Sequence, residues 1–297
     1  MTTAQTNPRK WHRVLIVLLM AAMLLIALLL LGLAVYYALP FKPDAVNHGA
    51  AAGREIMHMD VALKAFKAKY GMYPPSKIKL CSNAKNYDPT NPLDVESLAD
   101  VSRIWPALGD FKGIAWDGAE LPAEGVILEG DQCLVFFLGG IPSAAAEGPP
   151  HLGFAVDPKN PVAADGRHVG PLFWFDWERL VKLRGNRFPS YLDQFGQSQP
   201  YAYFCAGNRR DGYNRFGTSD CASLGVWPYA ESLQPQPRYF NPHTFQIISA
   251  GPDGQFGPGT VLPDGRTWSP ATADQIDPAG RDDLSNFYSA PLGVREP

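Results

Sequence analysis

Residues Val14 to Leu39 form an unbroken apolar run, with Arg9, Lys10 and Arg13 just before it and Lys42 soon after. The run is too long for the roughly 7 to 15 apolar residues of a cleaved signal peptide. As a helix it reaches roughly 39 Å at about 1.5 Å per residue, enough to cross a hydrocarbon core of about 30 Å with some tilt. Lys and Arg are retained on the cytoplasmic side during insertion, so the basic flank sets the orientation. The expected division is a cytoplasmic N-terminus at 1–13, a transmembrane helix at 14–39 and an extracytoplasmic domain at 40–297. Such a chain is an uncut single-pass protein of the inner membrane, its C-terminal domain periplasmic.

Over the whole chain the charges nearly balance, 26 basic against 29 acidic, so no basic surface of the kind polyanions require is expected. Nucleic acid is excluded as a partner on that ground. Pro and Gly, 28 of each, gather after Gly139 and punctuate short elements with turns. Cys81, Cys133, Cys205 and Cys221 all follow the span, where an oxidising compartment lets thiols pair. Three connectivities are open; pairing 205 with 221 across a polar loop, leaving 81 with 133, is favoured. No CxxC pair supports zinc.

Ile56, Met59, Leu63, Phe66 and Tyr70 recur at spacings of three and four, which predicts an amphipathic helix from about His48 to Tyr70. Gly71 supplies its C-terminal turn, and Pro74 with Pro75 prevents resumption. A second helix is predicted from about Asp94 to Leu108. Gly125 to Leu128, Cys133 to Leu138, Leu172 to Phe175, Tyr201 to Cys205 and Thr244 to Ser249 read as strands, being short, apolar or aromatic and bounded by turn residues. The last has no polar face, which predicts a central or doubly covered strand.

Three segments occur in a meaningful order. KYGMYPPS closes the first helix with Tyr70, Gly71, Met72, Tyr73 and Pro74. PSYLDQFGQSQPYAYF carries Asp193, Gly196, Pro200, Tyr201 and Tyr203. IISAGPDGQFG and RDDLSNF carry Asp253, Asp282 and Asp283. Together they resemble the type IV pilin superfamily, in particular the major pseudopilin of type II secretion systems. The resemblance implies a pilin-like α+β fold, with the amphipathic helix packed on a small antiparallel sheet, a loop-rich remainder, and insertions at about 76–188 and 206–243. It also implies other pseudopilins or secretion-apparatus proteins as partners. WHRVLIVLLMAAM lacks the family's Gly-Phe cleavage point and its early Glu, which fits an anchor left uncut.

In that family the Asp-rich C-terminal loops bind Ca2+. The resemblance implies ligation here by Asp253, Asp282 and Asp283, with the Ala250 carbonyl and the Ser285 hydroxyl as further oxygens. The chemistry agrees, because calcium takes about 6 to 8 oxygen ligands and Gly-rich loops let carbonyls turn inward. The plain alternative is that GPDG is a β-turn and that Asp282 and Asp283 are solvated or cap a short helix. The six histidines form no HExxH or i, i+4 pair, and no GxSxG, P-loop or GxGxxG element occurs. A non-enzymatic protein is therefore expected. A second reading is a stand-alone envelope-anchored module that binds a glycan or protein. The FWFDW run at Phe173 to Trp177 serves as core volume or as a ligand platform.

Overall fold

In the computed structural model, which describes residues 44–143, 150–196, 199–207, 209–259 and 266–295, helix α1 spans Asp44–Tyr70. Its Ile56, Met59, Leu63 and Phe66 are buried and Tyr70 packs against the same core, as the spacing predicts. The helix stops at Gly71, whose φ of +76° lets its amide bond the Lys67 carbonyl at 2.8 Å. Helix α2 spans Pro92–Ile104. The Asn91 side chain caps it by accepting the amides of Leu93 and Asp94, and Pro92 fits the first turn, where no amide partner is needed. It ends before Leu108 because Pro106 cannot continue the ladder, and a 3-10 turn at Pro106–Leu108 follows.

Helix α3, Gly130–Gly139, occupies the segment expected as a strand, and every one of its residues is buried. A short run that is apolar on all sides has no period to distinguish helix from strand. Two glycines let it fit. A Cβ on Gly130 would lie 1.8 Å from the Tyr203 carbonyl oxygen, and one on Gly139 would lie 2.9 Å from the His151 ring.

Among the described residues eleven short strands follow in chain order as β1 (Ile78–Leu80), β2 (Val126–Leu128), β3 (Phe154–Ala155), β4 (His168–Val169), β5 (Leu180–Val181), β6 (Ser190–Tyr191), β7 (Ala202–Cys205), β8 (Ala230–Ser232), β9 (Arg238–Tyr239), β10 (Phe245–Ser249) and β11 (Leu284–Ser285). They make four two-stranded antiparallel ribbons and one three-stranded sheet of order β11-β10-β7. In that sheet Phe245 opposes Cys205 and Ile247 opposes Tyr203, and these four face the main core with α1 and α3. The alternate residues Ala202, Phe204 and Ile248 face a second core around Tyr229 and Trp268, since successive strand side chains point to opposite faces. The sheet is therefore covered on both sides.

These findings correct the expected pilin-like α+β architecture. The described residues hold three α-helices and several separate small sheets, and no helix among them is long and apolar enough to cross a membrane. The transmembrane helix expected at 14–39 lies outside the described residues. The stripe of α1 does not lie on a single sheet: Phe66 meets Phe137 of α3 edge-on, with ring centroids 5.6 Å apart. The segment 76–188 contributes Ile78, Val101, Trp105, Trp116, Phe136, Phe154 and Phe175 to the main core. Val46–Pro297 is one compact unit.

Candidate functional site

Strands β10 and β11 bring the expected oxygen ligands toward one end of the three-stranded sheet. Ile248 opposes Ser285 and Ser249 opposes Leu284, so one further step places Asp283 beside Ala250. Asp283 is completely buried. One of its oxygens accepts the Gly257 amide at 3.1 Å and the Tyr229 hydroxyl at 3.4 Å; the other, Oδ1, has no hydrogen-bond partner. Asp282 accepts the Asp253 amide at 2.9 Å through Oδ2, and its Oδ1 is likewise unpartnered, as is the Ser285 hydroxyl. The turn is tight here: a Cβ on Gly251, at φ +67°, would lie 2.3 Å from the Asp282 carbonyl oxygen.

Burial pushes the Asp283 carboxyl well above the ordinary carboxylate range, and the charges of Asp282 and Asp253 add to the effect. Burial raises Asp282 too, with Asp253 again adding to it. The Tyr229 hydroxyl is raised by burial and then by Asp283. Asp283 Oδ1, Asp282 Oδ1 and the Ser285 hydroxyl are buried hard oxygens without partners, of the kind a calcium ion takes as ligands. Asp253 is drawn partly away, since its Oδ1 accepts the Gln255 amide at 2.8 Å within its own turn. Among the described residues no three His, Cys, Asp or Glu side chains already form a metal cage. Asp277 is engaged as the cap of a 3-10 turn, accepting the Ala279 amide at 3.0 Å.

The segments that carry the resemblance meet in space. The Tyr203 hydroxyl donates to the Pro74 carbonyl at 2.8 Å. Asp193 accepts the Ser249 hydroxyl at 2.7 Å, tying its loop to the end of β10. Tyr201 donates to Glu55 at 2.7 Å.

Glu55 is the centre of a second arrangement. Its carboxylate accepts Arg179 at 2.6 Å, Tyr191 at 2.9 Å, Gln194 at 3.1 Å and Tyr201 at 2.7 Å. Burial, followed by the Glu55 charge, raises both tyrosine hydroxyls. Beside this network lies a cavity of about 440 Å³ lined by Ala51, Arg54, His58, Phe173, Trp174 and Gln194 among others. No local sequence signal marks Glu55.

The cysteines also depart from expectation. All four are buried and free, so the favoured pairs 205 with 221 and 81 with 133 do not occur in the structure. Cys221 donates to the Tyr203 carbonyl and Cys133 to the Leu128 carbonyl, and burial raises every thiol.

Comparison with protein-family models, with curated proteins and with solved structures finds no match to this chain.

Proposed function

We propose that this chain is a membrane-tethered, non-enzymatic assembly component of an envelope secretion apparatus of the type II kind, with C-terminal loops fixed by calcium. The observation that carries the ion is the buried, unpartnered Oδ1 of Asp283, with the Oδ1 of the preceding Asp282 also unpartnered. Asp282 and Asp283 would hold the ion, with Asp253, the Ala250 carbonyl and the Ser285 hydroxyl completing an oxygen set. Calcium supplies the positive charge that lets both carboxyls ionise while buried.

The tether rests on the apolar run at 14–39 and its basic flank, which put the domain on the periplasmic side of the inner membrane. Assembly with other apparatus proteins is supported by the outer face of α1, where Met57 and Val61, one turn apart, are both exposed. Melting the full chain with calcium and with chelator tests the ion, since a ligand that binds only the folded form raises the midpoint. Identical midpoints remove calcium from the reading. Cross-linking in membranes tests the partners: recovery of a secretion ATPase, platform or pseudopilins supports the apparatus, and recovery of unrelated receptors overturns it.

A further inference from the structure

The FWFDW run divides in the structure. Phe173 and Phe175 are buried, whereas Trp174 is 65% and Trp177 69% exposed. Leaving two indoles in water forgoes a large apolar gain, and such residues concentrate at binding sites. Trp174 forms a wall of the cavity beside Glu55, whose volume of about 440 Å³ falls within the roughly 300 to 1,000 Å³ of small-ligand sites.

The rest of the lining defines the ligand's chemistry. Phe173 and Leu172 add apolar surface, and Arg54, His58 and Gln194 add polar groups. The Glu55 carboxylate already accepts four hydrogen bonds, which uses about all the lone-pair sites a carboxylate has. Its role is to position. Holding the Gln194 amide nitrogen at 3.1 Å leaves the Gln194 carbonyl as an acceptor for a ligand. The Glu55 charge is already met by Arg179 at 2.6 Å, so the charge the lining presents is that of the Arg54 guanidinium. A molecule with one apolar face and a rim of hydroxyls matches this lining. A pyranose ring has that form, its axial C–H face stacking on an indole while its equatorial hydroxyls meet amide, guanidinium and imidazole.

We propose that the groove at Trp174 binds sugar rings of a glycan, with Trp174 as the stacking platform, Arg54, His58 and Gln194 as hydroxyl partners, and Glu55 as a positioning residue. The full chain in lipid nanodiscs should be titrated calorimetrically with cellotetraose, chitotetraose and maltotetraose. At least one is expected to bind, and Trp174→Ala should weaken it by about tenfold or more, equivalent to about 1.4 kcal/mol, with an unchanged melting midpoint. Trp227→Ala, at an indole outside the groove, should bind as the parent does. Silence with all three tetrasaccharides, or equal binding by Trp174→Ala, overturns the proposal. Quenching of Trp174 by brominated lipid in the same nanodiscs overturns it as well, by assigning the indole to the bilayer surface.

Discussion

Arg179 donates to the Glu55 carboxylate at 2.6 Å across 124 residues of sequence, and its guanidinium sits 4.1 Å from the centroid of the Tyr191 ring. One carboxylate on α1 thereby fixes the loop after Trp177, strand β6 and the start of β7. Removing it leaves a half-buried guanidinium and two hydroxyls without an acceptor. Glu55→Ala should therefore cost about 3 kcal/mol, since orphaning one member of a buried pair is more damaging than losing both. Urea denaturation checks this, and a cycle with Arg179→Met should return a coupling above about 1 kcal/mol. Additive losses would show that the pair is only a surface contact.

A backbone collision makes a sharper case. Gly130→Ala would place a methyl 1.8 Å from the Tyr203 carbonyl oxygen and 2.8 Å from the Cys221 sulfur. Neither a strand carbonyl nor a buried helix start can yield by that much. Loss of about 3 kcal/mol or more is expected, from overpacking against backbone. Gly49→Ala, with open space around it, is the matched control and should be neutral or stabilising, because alanine favours helix. Equal midpoints for the two variants would contradict the packing of α3 on β7.

How much of this could be seen in the sequence varied with how local the cause is. The stripe from Ile56 to Tyr70 was legible because a helix buried on one face must repeat near 3.6 residues. Its stop was legible because Gly71 and Pro74 act through their own backbone. Helix α3 was not, because burial on every side erases period. Nor was Glu55, whose four partners lie 124 to 146 residues away. The cysteine spacing could not reveal that each thiol is enclosed separately. The carboxylates at Asp253, Asp282 and Asp283 stood out in sequence, but the burial that separates Asp283 from its neighbours is a property of the second core around Tyr229 and Trp268.

Those carboxyls make pH a probe of calcium. Burial raises Asp283 and Asp282 in the folded state above their unfolded values. Their protonated forms favour folding, so this stability is fully present below the ordinary carboxylate pKa of about 4 and is lost as pH rises through the folded values. In chelator the melting midpoint should fall over that rise. Calcium should restore it, increasingly at higher pH, because the ion binds the ionised forms. Asp283→Asn should flatten the chelator profile and abolish the calcium increment. A calcium shift that persists unchanged in Asp283→Asn would place the ion elsewhere.

The buried thiols predict their own chemistry. Each cysteine is buried and raised by that burial, and the thiolate is the reactive form. In the native chain a colorimetric disulfide reagent should therefore react far more slowly than with free cysteine, and all four thiols should appear together on unfolding. Fewer than four under denaturing, non-reducing conditions would mean that a pair had closed.

Two buried groups should oppose each other in mild acid. His151 lies against the Phe175 ring at 5.8 Å between centroids, and burial lowers its pKa from 6.5 to about 4. Between those values the unfolded chain holds a proton that the folded chain refuses, so stability falls as pH falls. Asp100 behaves in the other sense. Burial raises it from 3.8 to about 6, and Arg103, 3.0 Å away, does not prevent this because its side chain is 47% exposed and screened by solvent. There the folded chain holds the extra proton, and stability rises as pH falls. Each shift corresponds to about 3 kcal/mol, so these two contributions oppose each other between about pH 4 and 6. Relative to the parent, His151→Phe should gain stability toward pH 4, and Asp100→Asn should lose it. Guanidinium titrations across this range measure both slopes directly. Changes of the same sign relative to the parent in the two variants would show that one of these groups is not titrating from the buried position described.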